Sequence, residues 1–252
     1  MPLVAPAAEW GSLSARLKRE APEAFVVQRE LFPQFLEMYL PVSRGLRYGN
    51  PVMVENETDP LPKLDFGPLI NSKKVEELRV MYVEALGKGA ISLFEGTVQE
   101  SMIFPNQDTS AYVGPAALLN IPKNCRLYHS EPFGPIDTIV VVDHLEELIS
   151  EMNVSNGALV SSIACDDDKI SRRVAEQLRA FKIGINGIKS RGDRQEVFGG
   201  VGQSWKGCFV GGRYLVMAVT TGELGEKLYG NFPDHSRMPE ELSLRAVRGV
   251  QR

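Results

Sequence analysis

The sequence predicts an α/β fold with a mostly parallel sheet, and three observations lead there. Ile136-Asp137-Thr138-Ile139-Val140-Val141-Val142 is an apolar run broken by one acid, the texture of a strand buried on both faces. It is followed by helix-spaced Leu145, Leu148, Ile149 and Met152, then a strand over Ala158–Ala164. A helix with Ile170, Val174, Leu178 and Phe181 on one side then leads to a short strand over Ile183–Asn186. Strand, helix, strand, helix, strand with short connections predicts right-handed crossovers in one sheet.

Taken in order, residues 1–23 read as an appendage with a short helix between Trp10 and Ala21. Ala24 to Val27 reads as a strand. Leu31, Phe35, Met38 and Val42 are spaced for one face of a helix that runs to Leu46, with Pro41 kinking or ending it. Residues 48–70 form a long loop. Asn71 or Ser72 caps the next helix, Glu76 and Glu77 sit early in it, and Val75, Leu78, Tyr82 and Leu86 make its buried stripe. Gly87 and Gly89 end it. Ala90–Phe94 reads as a strand closed by Gly96, residues 97–110 as a loop, and Tyr112–Leu119 as an apolar run. Beyond Asn186 come a basic, Gly-rich segment over 188–212, a strand over Tyr214–Thr220, and a polar tail over 223–252.

Composition narrows the function. The 252 residues are 43% hydrophobic and 24% charged, as in a soluble globular protein. The net charge of −4 leaves no basic excess for a nucleic-acid partner. No apolar stretch reaches the ~20 residues that span a bilayer. The N-terminus lacks the basic region of a signal peptide. Cys125, Cys165 and Cys208 have no disulfide or metal-knuckle spacing, so a reducing cytoplasm is the default location.

The chemistry centres on Glu131-Pro132-Phe133-Gly134-Pro135. Two prolines fix φ and Gly134 tolerates unusual angles, so a rigid turn presents Glu131 and Phe133 at the mouth of a strand. Strand-end loops of α/β sheets bind ligands. An ordinary tight turn with a solvated glutamate is the alternative. Asp166-Asp167-Asp168 reads as a helix N-terminus, since metal loops of acids alternate ligands with spacers. Gly200-Val201-Gly202 fails as a phosphate loop, because Trp205 stands where a glycine or alanine is needed. Cys125, near Lys123 and Arg126, is the most plausible reactive thiol, with a core role as the alternative; Cys165 reads as core. His129 can hydrogen-bond near the turn, but no catalytic triad is legible. Arg191-Gly192-Asp193 reads as a surface turn.

Four landmarks stand in one order: Phe66-Gly67-Pro68-Leu69-Ile70-Asn71 before a long helix; Glu131-Pro132-Phe133-Gly134-Pro135; Asn153 through Asn186; and Phe198-Gly199-Gly200 with Ser204 and Gly207. With these, the segment 24–222 resembles the C-terminal, catalytic-domain portion of the NAD(P)-dependent aldehyde dehydrogenases. The resemblance implies a mostly parallel, doubly wound sheet, and makes Tyr214–Thr220 an oligomerisation-type strand. It implies that Glu131 binds the nicotinamide ribose, that Phe133 packs beside the nicotinamide, and that Phe198 lies near the substrate pocket. NAD or NADP is the implied cofactor of the complete enzyme.

The family's nucleophilic cysteine precedes the segment matching Val27-Gln28-Arg29, and no cysteine stands there in this chain. The general-base glutamate and dinucleotide-binding domain belong further upstream. The expectation is therefore a truncated or split dehydrogenase with no catalytic or metal-binding residue of its own, binding the cofactor weakly and inactive alone. Its expected partners are copies of itself or the missing dehydrogenase half. The alternative is a non-catalytic docking or oligomerisation module.

Overall fold

Seven residues, Ile136–Val142 (β4), form the spine of the main sheet. The computed structural model describes residues 24–187 apart from 55, 57, 99–101, 155–159 and 181. The expected helix between Trp10 and Ala21, the Gly-rich segment with Phe198, the strand Tyr214–Thr220 and the tail lie outside the described residues.

Four strands lie in the order β1-β4-β3-β2. β1 (Ala24–Gln28) and β3 (Ala116–Leu119) flank β4 in parallel, with Ala24 opposite Thr138 and Ala116 opposite Ile136. β2 (Ile91–Glu95) closes the edge, antiparallel to β3. Alternation along β4 sends Ile136, Thr138, Val140 and Val142 to one face and Asp137, Ile139 and Val141 to the other. α1 (Phe32–Arg44) covers the second face, where Val27, Leu31, Phe35, Tyr39, Ala117 and Ile139 form one core. On the first face, α2 (Ser72–Gly87) and the one-turn α3 (Arg126–His129) pack Leu78, Met81 and Leu127 against Ala116, Leu118 and Ile136. Beside them, α4 (Leu145–Met152) and α5 (Asp168–Gln177) pack Leu148 and Val174 against Val142 and Val26. Helices on both faces of a mostly parallel sheet make the α/β architecture that the sequence predicts.

One part of that expectation changes. β5 (Val160–Ile163) and β6 (Lys182–Ile185) pair in parallel with each other as a separate ladder, and do not continue from β4. The reason is occupancy. β1 already holds the edge of β4 away from β3, so the connection through α4 cannot set β5 there.

Helix details shift too. α1 buries Phe35, Tyr39 and Ser43, in line with Leu31 just before it, rather than Met38 and Val42; Val42 is 39% exposed. The four-residue spacing tracks the face where the Tyr39 hydroxyl reaches Asp137. Pro41 does not end the helix. Both Pro41 and Glu37, whose carbonyl loses its partner, face solvent, so water can satisfy the freed acceptor. In α2 the cap is Asn71, whose side chain accepts from the Lys74 N–H at 2.9 Å. Glu76 and Glu77 fall beyond its first turn, and the buried stripe is Leu78, Met81, Tyr82 and Ala85. Gly89 follows with φ +110°, a stop that suits glycine. The acidic triplet opens α5 as expected, because Asp167 accepts from the N–H groups of Lys169 and Ile170 at 2.8 and 3.1 Å.

Candidate functional site

The turn 131–135 joins α3 to β4 and lies beside the start of β3. The Ala116 N–H donates to the Pro135 carbonyl, and the Ile136 N–H to the Gly134 carbonyl, both at 2.8 Å. Pro132 and Pro135 are buried and anchor the turn, while Glu131 and Phe133 are exposed. The pair expected from sequence is thus brought together at one sheet edge. That edge is the amino end of the parallel strands, whereas open α/β sheets commonly bind ligands at the carboxyl ends.

The unusual angle that Gly134 could tolerate falls on its neighbour. Phe133, not Gly134, takes the left-handed conformation, at φ +51°. For a bulky side chain that costs about 1–3 kcal/mol, so surrounding structure must enforce it. What Gly134 supplies is room, because a Cβ there would overlap Leu78 Cδ1 on α2. Leu78 is fully buried and has little freedom to move aside.

α2 also reaches the aromatic ring. Lys74 Nζ lies 5.8 Å from the Phe133 ring centroid, within cation–π range, and 3.0 Å from Glu77 Oε2. Phe133 itself is 53% exposed. The site is therefore a carboxylate and an accessible ring on a strained turn braced by one helix. A carboxylate accepts hydrogen bonds from a vicinal diol, and an aromatic ring offers a surface to a planar ring. These residues fit the ribose and nicotinamide of a dinucleotide.

The other candidates resolve into structural roles. Cys125 is 2% exposed and belongs to the core beneath α2 and α3. Its neighbouring cations are engaged elsewhere: Lys123 pairs with Glu151 at 3.0 Å, and Arg126 with Glu84 at 3.1 Å. Cys165 is also buried. His129 bonds the Lys123 carbonyl through Nε2 at 2.7 Å, which makes that nitrogen the donor, and its ring meets Tyr128 edge-on. Among the described residues no group of three or more His, Cys, Asp or Glu could hold a metal ion. Nor is any described helix long and apolar enough to cross a membrane. Phe198 lies outside the described residues.

Sequence reasoning missed three polar arrangements. Asp137 is 2% exposed and accepts from the Tyr39 hydroxyl at 2.5 Å. The lone acid inside an apolar strand was the available signal, since a buried carboxylate requires a partner. Tyr82 meets Ser92 at 2.9 Å and Glu95 at 3.2 Å, and burial pushes its hydroxyl pKa upward. The Tyr128 hydroxyl donates to Glu151 at 2.7 Å and is likewise pushed up, first by burial and then by that carboxylate. Both phenols are thereby kept protonated, as donors rather than bases. Sequence reasoning also missed Lys74 over Phe133, a contact across segments that no local motif marks.

The profile of the aldehyde dehydrogenase family matches residues 20–222. Lactaldehyde dehydrogenase of Escherichia coli (strain K12) is 26% identical over 190 residues, covering 75% of this chain and 36% of that protein. Human mitochondrial succinate-semialdehyde dehydrogenase is 31% identical over 185 residues, covering 73% and 31%. The chain spans about a third of the length of these curated relatives. Among solved structures, NADP-dependent glyceraldehyde-3-phosphate dehydrogenase from Bacillus halodurans C-125, complexed with NADP, superposes with a TM-score of 0.65 at 23% identity. That match covers 81% of this chain and 40% of the other, and it establishes the shared fold.

Proposed function

The chain belongs to the aldehyde dehydrogenase family, and from that premise we propose that its 131–135 turn forms the nicotinamide-ribose side of an NAD(P)-dependent aldehyde-oxidising site. Glu131 accepts hydrogen bonds from ribose hydroxyls and Phe133 packs beside the nicotinamide. Phe198 belongs near the substrate pocket. The cofactor, when bound, accepts hydride as the aldehyde becomes a carboxylate. The observation that carries this reading is the exposed carboxylate and ring, two residues apart, on a turn held by buried prolines and by α2.

The same reading assigns the isolated chain weak cofactor binding and no turnover. Covalent aldehyde oxidation needs an accessible thiolate, and among the described residues both cysteines, Cys125 and Cys165, are buried; Cys208 lies outside the described residues. The test is twofold. NADH and NADPH are titrated by fluorescence into the pure chain and into Glu131→Gln. NAD-dependent oxidation of lactaldehyde and of succinate semialdehyde is followed by absorbance. We expect weak binding that Glu131→Gln abolishes, and no oxidation. Equal binding by both proteins would remove the ribose role. Aldehyde oxidation lost on Cys125→Ala would overturn the inactive reading.

A second reading, a docking or oligomerisation module, draws support from β2. It is an edge strand with Ile91 exposed, and among the described residues no strand pairs with its outer side. Open edges invite strand addition. Capture of a full-length aldehyde dehydrogenase subunit by the immobilised chain would favour this reading, whereas a strictly monomeric chain that captures none would count against it.

A further inference from the structure

An exposed aromatic ring cannot be held by burial. Phe133 is more than half exposed, and its backbone sits where a bulky residue rarely stays. Some contact must select that conformation, and α2 provides one. Lys74, Glu77 and Leu78 occupy one helix face at i, i+3 and i+4. Leu78 fills the space that a side chain at 134 would need. Glu77 fixes the Lys74 ammonium at 3.0 Å, and the Lys74 side chain is only 17% exposed, low for a surface lysine. The ammonium is then 5.8 Å from the centre of the Phe133 ring. The Asn71 cap ties down the backbone of Lys74 itself. Helix, ion pair and ring thus form one brace against the turn.

We propose that Lys74 is a positioning residue, whose charge, oriented by Glu77, holds the Phe133 ring and hence the turn that carries Glu131. Its value to a ligand rests on the cofactor role proposed above, but its hold on the ring does not. This separation makes the test clean. Lys74→Met keeps the length of the stem and removes the charge, whereas Lys74→Arg keeps a cation.

The full chain, labelled with 13C-phenylalanine, is compared as wild type, Lys74→Met and Lys74→Arg without cofactor. Ring resonances of Phe133 and amide exchange over 133–136 are the readouts. We expect Lys74→Met to shift the Phe133 signals toward those of a mobile ring and to speed local exchange about threefold, the scale of one exposed cation–π contact. We expect Lys74→Arg to restore both. Unchanged signals and exchange in Lys74→Met would overturn the proposal. So would an arginine variant that behaves like the methionine one, because packing of the stem would then be the cause.

NADH titration of the same proteins separates the two readings. If the wild type fails to bind while Lys74→Met frees the ring, the cofactor reading falls and the brace stands. If the wild type binds and Lys74→Met weakens it severalfold, both stand. A freed ring with unchanged affinity would overturn the brace as a positioning device.

Discussion

Residues 116–142 and 160–185 are both parallel strand pairs joined by a connection. In each an asparagine just past a strand serves the backbone, as Asn120 accepts from the Val141 N–H at 3.3 Å, but the first connection also carries an exposed aromatic ring on a strained turn. In the second pair, Asp167 between the strands and Asn186 just past β6 both bond to backbone. Asp167 caps α5, and Asn186 both donates to the Cys165 carbonyl and accepts from the Cys165 N–H, each at 2.8 Å. Between β3 and β4, the Glu131 and Phe133 side chains face solvent from a strained turn, while the restraint comes from buried prolines and from α2. Polar residues that serve the backbone explain themselves structurally. At the turn of the first pair an exposed carboxylate and ring stand on a backbone that other elements force into an uncommon conformation, and that combination sets the candidate site apart.

The largest expected effect tests how the turn is held. Leu78→Ala should cost about 2–5 kcal/mol, as for other fully buried leucines. Gly134→Ala should cost about 1–3 kcal/mol by overpacking against Leu78. The double variant should be less destabilised than the sum by about 1 kcal/mol, because Leu78→Ala makes the space that the new methyl group needs. Urea unfolding of the four proteins measures this cycle. Strict additivity would mean that α2 does not brace the turn.

The second strand pair should break by loss of backbone partners instead. Asn186→Ala should cost about 1–3 kcal/mol, since it strips two hydrogen bonds from Cys165 and leaves alanine at φ +50°. Asp167→Ala should cost about 1 kcal/mol as a lost cap. Gly187→Ala, with none of the described residues within 4 Å of the added methyl group, should have almost no effect. A loss at Gly187→Ala equal to that at Gly134→Ala would erase the contrast between the two regions.

Much of this was legible in the chain because it is local. β4 was visible as an apolar run, α5 through its acidic cap, and α2 through Asn71 at one end and the glycines at the other. The turn was visible through Pro132 and Pro135. What could not be read was which segments meet. Nothing around Ala24 says that β1 takes the edge of β4 away from β3. Nothing around Lys74 points to Phe133. Even within the turn, residue types tell which positions tolerate unusual angles, not which positions lack space. That is why Gly134 stood out as tolerant in the sequence while the positive φ is found at Phe133.

The smallest expected effect is electrostatic and concerns how α2 is tied to α3, the helix that leads into the turn. Glu84 accepts from Lys88 at 2.7 Å and from Arg126 at 3.1 Å. Those partners, Lys88 first, hold its carboxyl below the ordinary 4.5. A carboxyl whose folded pKa is depressed adds stability that is complete above its unfolded value and is lost as pH falls through the folded one. The urea midpoint of the wild type should therefore drop more steeply between about pH 5 and pH 2 than that of Glu84→Gln, which has no carboxyl to protonate. Added salt should narrow the difference, because the pair lies near the surface and is screened. Parallel pH profiles would mean that Glu84 does not couple α2 to α3. The hold of α2 on the turn would then have to come from Leu78 and Lys74, beside the buried prolines.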